Sequence, residues 1–388
     1  MHTLEQDIDE RNDSSPLAAP VNGSGVEEED IGISEPFDPA KINVVTKQMS
    51  LDTLIKRMKE GEIDLSPDFQ RNEVWKKEAK SRLIESILIR IPLPAFYMDA
   101  TNEEQWLVVD GLQRLSTLRD FIISREKNQL LLEHLEFLKE LEGKGFQDLP
   151  RPYQRRIEET QVTVYLIEKG TPPDVKFNIF KRINTGGMPL SSQEIRHALH
   201  QGPVTKLLKE LAESKEFKQA TDNGIQDQRL SDQECVLRVL AFMKTPYLEY
   251  NSNDLDSFIS SAMAKLNQIS ERERANIKSR FIRIMQSAAV IFGNNAFRKS
   301  SYLLQKRNPI NKALLEAWSV NLDKLSDDEI TTLIDNNIHV QIGFTRLMSD
   351  KEFENAVTAG TGTIARVRKR FHDIEKLIQS ILDGHREY

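Results

Sequence analysis

The chain has 388 residues, a formal net charge of -7 and 29% charged residues. That length suits two domains plus a tail, and the composition is that of an ordinary soluble protein. Its one cysteine, Cys235, excludes a disulfide framework and a thiolate-rich zinc site. Net acidity argues against a nucleic-acid footprint over the whole surface, but much of the acid lies near the N-terminus, so a local basic groove stays open. The opening MHTLEQDIDE is too polar for a signal peptide, and no apolar run reaches the ~18 residues that span a bilayer. A cytoplasmic protein without a membrane partner is expected.

Residues 1–36 are rich in Glu, Asp, Ser, Gly, Ala and Pro, with EEED at Glu27 to Asp30; a disordered acidic arm is expected. Ser50 then precedes LDTLIKRMKEG, a short amphipathic helix stopped by Gly61. An extended link, IDLSPDFQRNEVW, leads to a helix over Lys77–Ile89 that buries Leu83, Ile84, Ile87 and Leu88. The prolines of IPLPAFYMD enforce extended backbone into a strand, Ala95–Met98. Trp106–Val109 reads as a second strand, ending in Asp110. Gly111 turns the chain into a helix with Leu112, Leu115, Leu118, Phe121 and Ile122 at helical spacing. The leucine-rich stretch Gln129–Gly143 is expected to be helical, as are Tyr153–Glu159 and Asp174–Arg182. Gln161–Glu168, QVTVYLIE, is the clearest strand. Ser191 and Glu194 form a capping box for a helix through Leu199. Beyond Gly202 nearly every segment has helical period, to a last helix over Ile364–Leu382. The fold class is therefore α+β, with a small mixed α/β core over 37–202 and a mainly α-helical domain over 203–388.

The turn after Trp106–Val109 concentrates chemistry. Asp110, Gly111, Gln113 and Arg114 stand at a helix start, with Ser116 and Thr117 one turn on. Unpaired amides and the positive dipole end favour anions there, which suggests a phosphate or nucleotide site. The structural alternative has Asp110 as the helix cap and Arg114 paired with a surface acid. In the last helix, Arg366, Lys369 and Arg370 are candidate contacts to DNA phosphates; a solvated charged face is the alternative. Phe371, Ile374, Leu377, Ile378 and Ile381 would face the core. Cys235, among Val236, Leu237 and Val239, reads as a core residue. His197 and His200 share a helix but have only Glu194 nearby as a further metal ligand.

Three segments occur in one order: SPDFQRNEVWKKEAKSRLIESILIRIPLP, WLVVDGLQRLSTL and FNIFKRINTGGMPLSSQEIRHAL. Their marks are Gln70, Arg71 and Trp75; Asp110, Gly111, Gln113 and Arg114; and Arg182, Asn184, Gly187, Leu190, Ser191, Glu194 and Arg196. Over about residues 45–200 this series resembles the N-terminal domain family of GmrSD-type restriction endonucleases, whose core resembles the ParB/sulfiredoxin fold. Leu112 stands where many relatives carry a second Gln. The resemblance implies binding and hydrolysis of a nucleoside triphosphate with Mg²⁺, coupled to DNA, in defence against foreign DNA. Arg114 would then hold phosphate oxygens, and Gln113 would orient water or donate to phosphate. Asp110 would be the metal ligand or base. Gln70, Arg71, Gly111, Ser116, Thr117, Arg182, Asn184 and Arg196 complete the expected nucleotide site. The seven histidines fall in no His-Asn-His context, so a separately encoded nuclease or effector is the expected partner, with homo-oligomerisation left open. Two other readings stay open: a ParB-like sensor that does not turn over, and a metal-dependent nuclease. No Walker-type Gly-rich Lys loop is present, so hydrolysis rests on the resemblance.

Overall fold

The computed structural model describes residues 25–27, 42–65, 75–125, 128–183, 190–252, 254–299 and 308–384. Its N-terminal part is built on a mixed sheet of order β1-β5-β3-β4-β2. The strands are β1 (Val44–Ser50), β2 (Ile63–Asp64), β3 (Phe96–Asp99), β4 (Trp106–Asp110) and β5 (Gln161–Ile167). β3 runs antiparallel to β4 and parallel to β5, while β1 closes one edge antiparallel to β5. The three strands expected from sequence are thus adjacent. β1 was not expected: Thr46, Lys47 and Gln48 are all exposed, so this edge strand shows no alternation.

Both faces of the sheet are covered, which is why β4 reads as an uninterrupted apolar run. Trp106 and Val108 face one layer, with α1 (Leu51–Lys59), α2 (Lys77–Leu88), α3 (Leu112–Leu118) and α4 (Arg151–Glu159). Leu107 and Val109 face the other, with α5 (Pro173–Ile183) and α6 (Ser192–Leu199). Ser50 caps α1 by accepting from the Thr53 amide, and Ser191 with Glu194 completes the capping box of α6. After α3 the residues Arg119–Ile123 form a π-helical turn, and Leu115, Leu118, Phe121 and Ile122 all stay buried.

The expected helix over Gln129–Gly143 is absent; only a 3₁₀ turn, Lys139–Leu141, forms there. Its buried leucines, Leu130, Leu132, Leu135 and Leu141, do not share a helical face. His134 has a positive φ of 55°. The buried Glu85 carboxylate accepts from three successive amides, those of Glu136 (3.0 Å), Phe137 (2.7 Å) and Leu138 (2.8 Å). A tertiary partner has replaced the helical hydrogen bonds that local propensity favours.

The rest of the described chain is mainly helical: α7 (Pro203–Glu213), α8 (Lys215–Ala220), α9 (Ser231–Lys244), α10 (Leu255–Gln268) and α11 (Glu271–Phe292). It continues with α12 (Lys312–Asp323), α13 (Asp327–Asp335), α14 (Asn337–Met348), α15 (Lys351–Thr358) and α16 (Ile364–Leu382). α12 is buried from Lys312 to Leu322 and packs against α9, α11 and α16. Cys235 is fully buried in α9, where burial pushes its thiol up to about 12; it is a core residue. The apolar residues of α16 named above face the core as expected. No helix among the described residues is long and apolar enough to cross a membrane. Most of the acidic arm lies outside the described residues. Gly25–Glu27, expected to be disordered with the rest, instead lie against the helical part, where Val26 reaches the core.

Candidate functional site

Asp110 ends β4, and Gly111 turns the chain with φ 100°. A Cβ at Gly111 would lie 2.4 Å from the Phe96 ring, so the turn requires glycine. Asp110 does not cap α3, contrary to the structural alternative: the cap is Gly111, which has no side chain. The Asp110 carboxylate instead accepts from Arg114 Nη2 at 2.9 Å and lies beside the Gly111 amide. Burial pushes Asp110 above the usual carboxylate range, against the pull of Arg114 and that amide. Its side chain keeps 24% of its surface exposed; that of Arg114 keeps 10%.

Arg114 does not present its fork to solvent. It donates to the carbonyl oxygens of Pro94 and Ala95, the latter at 3.1 Å, and stacks over Phe96 at 4.5 Å. In this arrangement Arg114 positions Asp110 and fastens the β3 entry; the expected grip on phosphate is not the one seen. Ser116 and Thr117 are buried, and Thr117 Oγ1 donates to the Gln113 carbonyl at 2.7 Å, so neither faces a ligand. Gln113 accepts from the Trp75 amide at 3.3 Å. That bond fastens the turn to the end of the Gln70–Trp75 segment. Trp75 packs on the core, as does Leu190 on the other layer.

Gln70, Arg71, Asn184 and Gly187 lie outside the described residues. Arg182 is exposed at the end of α5. Arg196 is fully buried: it bonds Asp256 of α10 and Gln193 (3.2 Å) and stacks over Phe177. Lys181 reaches the same Asp256 at 2.9 Å, and Glu194 pairs with Arg229 at 3.2 Å. Arg196 was expected as a cation of the site; it is instead a tie from α6 to α10. On α16 the correction concerns Arg370, while Arg366 and Lys369 stay partly exposed. Arg370 is fully buried and donates to Glu316 (2.6 Å) and the Thr361 carbonyl (2.5 Å). Lys369 stands among Asp350, Glu352 and Asp373, and Arg366 donates to the Ala359 carbonyl.

Tyr97 is a neighbour that the sequence reading passed over. It stands opposite Asp110 in the β3–β4 register and stacks on Tyr165 at 4.7 Å. Burial, Tyr165 and Asp110 together hold its hydroxyl above the usual range. The alternation of FYMD, with Phe96 and Met98 on one face, was the available signal. No group of three His, Cys, Asp or Glu residues among those described is arranged to hold a metal. Asp110 would offer one carboxylate to an ion that takes other ligands from phosphate and water, as Mg²⁺ does. A cleft of about 500 Å³ in the helical part, lined by Phe217, Lys218, Thr221, Ile225 and Asp227 among others, contains none of the motif residues.

No curated protein matches the chain. Residues 51–201 match the family model described as "GmrSD restriction endonuclease, N-terminal domain". The match takes in the Asp110 turn, the Trp75 segment tied to it and the capping box of α6, so the α/β part of this chain belongs to the GmrSD N-terminal domain family.

Proposed function

We propose that the chain is a component of a restriction or anti-phage defence system whose α/β part binds a nucleoside triphosphate with Mg²⁺ at the Asp110 turn and hydrolyses it in response to DNA. The family supports the restriction setting. The hydrogen bond from the Trp75 amide to Gln113 supports the site, because it ties two of the motif segments together around one carboxylate. Asp110 is the group suited to chemistry: partly exposed, held above its usual range, and fixed by Arg114. Bound Mg²⁺ would neutralise phosphate charge, with Asp110 as its protein ligand or as base for the attacking water. Arg114 acts through Asp110. Arg71 and Arg182 are the cations for the phosphates that the resemblance leaves. DNA and a separately encoded nuclease or effector are the proposed partners.

The test is a nucleotide titration with and without DNA, followed by phosphate release, on wild type and Asp110→Asn. We expect Asp110→Asn to bind nucleotide and melt close to wild type while turnover falls at least about 100-fold. Wild-type turnover in the folded variant removes Asp110 from the mechanism. One observation favours a second reading: Arg114 is committed internally, as in a turn that senses without turning over. Nucleotide binding with no phosphate release by wild type, DNA present or absent, selects that sensor.

A further inference from the structure

Gly25, Val26 and Glu27 touch residues more than 190 positions away. The Ile310 amide donates to the Gly25 carbonyl at 3.2 Å, and the Glu27 amide donates to the Ile310 carbonyl at 3.0 Å. Val26 bridges Ile310 in parallel, and Ile310 bridges Arg298 in antiparallel fashion. The arm thus adds the outer piece of a short three-part ladder on the helical part.

Each of the three residues meets a receptor. Gly25 has φ +78°, and a Cβ there would lie 2.0 Å from the Gly224 carbonyl oxygen, so no side chain fits. Val26 is fully buried in the helical core. Glu27 is 6% exposed; its carboxylate accepts from Asn311 Nδ2 at 2.7 Å and pairs with Lys299 at 2.8 Å. These receptors are themselves fixed. Asn311 caps α12 by accepting from the Leu314 amide, and its Nδ2 also donates to the Val357 carbonyl. Arg298 donates to the carbonyls of Thr221 (2.8 Å), Asn294 (3.1 Å) and Asn308, joining the Gly224 wall to the Ile310 wall.

We propose that the helical part carries a strand-accepting groove for an extended peptide of the pattern glycine, β-branched apolar residue, acid. The arm fills it in cis, and a partner protein presenting that pattern docks there by displacing the arm. Main-chain hydrogen bonds supply affinity in such strand addition, and the side-chain receptors supply specificity. The contact made by the three described residues is small, and the tether adds effective concentration to it, so a competitor can exchange with the arm. This inference is independent of the nucleotide reading.

The test uses the full chain and a labelled synthetic peptide of residues 20–32. Gly25→Val undocks the chain's own arm. The labelled peptide is expected to bind the Gly25→Val protein at least about 10-fold tighter than wild type, whose groove is filled. A peptide with Val26→Asp or Glu27→Lys should lose that binding. Hydrogen exchange gives a second readout: the Ile310 amide should lose protection in Gly25→Val and regain it with peptide. Should Gly25→Val not fold, Glu27→Lys, which opposes Lys299, serves as the undocked chain. Equal binding to undocked and wild-type chains overturns the proposal. So does equal binding of the Val26→Asp peptide, or an Ile310 amide indifferent to undocking.

Discussion

Two acid–arginine pairs with the same spacing sit in different parts of this molecule. Asp110 and Arg114 are four residues apart at the mouth of a strand–helix turn; Glu234 and Arg238 are four apart within α9. The first pair leaves the carboxylate partly exposed, with burial raising it and one guanidinium opposing. In the second, burial also pushes Glu234 up, but Lys312, Arg238 and Arg196 outweigh it and hold it far below the usual range. From there the network runs inward: Arg238 meets Glu316 at 2.9 Å, and Glu316 meets Arg370 at 2.6 Å, with no exposure on any of the three side chains. A rim carboxylate with one counter-ion can take up a proton or a ligand. One surrounded by three cations stays ionised and serves as cement. Local spacing is the same; solvent access and the number of counter-ions decide the role.

The largest effect that would break this contrast lies in the cement. Glu316→Ala leaves two buried guanidiniums without their shared carboxylate and should cost about 3–5 kcal/mol in urea unfolding. A loss under ~1 kcal/mol would mean that the network is open to water. Acid tests the seam between the two parts. Burial, then Arg196 and Lys176, hold the His200 ring at about 4. The unfolded chain protonates His200 near 6.5, so this contribution is full above 6.5 and lost as pH falls toward 4. That gap is worth about 3 kcal/mol, and His200→Gln should flatten the urea midpoint between pH 7 and 4.5.

At the rim, Arg114→Ala removes donors from two carbonyls and a carboxylate and should cost about 2–3 kcal/mol. Arg114→Lys keeps the charge but cannot span the same acceptors, so it should recover only part of that loss. A neutral Arg114→Ala with weakened nucleotide binding would instead restore the phosphate role. Lys369→Ala should change stability by less than about 1 kcal/mol, as expected of exposed pairs, and leave DNA retention on a filter unaltered. Weaker retention at low salt would return α16 to the DNA surface.

The sequence alone determined those features whose hydrogen bonds close locally. Ser191 with Glu194 announced the start of α6, and the 3.6 period delivered α16 with its bounds and its buried face. Pro92 and Pro94 enforced the extended entry to β3, and the β-branched run QVTVYLI announced β5. The order of the three motif segments led to the family, and Asp110–Gly111 was legible as a turn. Partners distant in sequence decided the rest. Glu85 drew the amides of Glu136–Leu138 out of a helix that their leucines favoured, and a single neighbouring strand gave exposed Thr46–Gln48 a place in the sheet. Arg196, Arg370 and Arg114 read as surface cations because charge implies exposure until a buried acceptor is known. Only the tertiary structure brought Asp256, Glu316 and the Pro94 and Ala95 carbonyls to them, and a charge enters a low-dielectric interior only where such partners meet it.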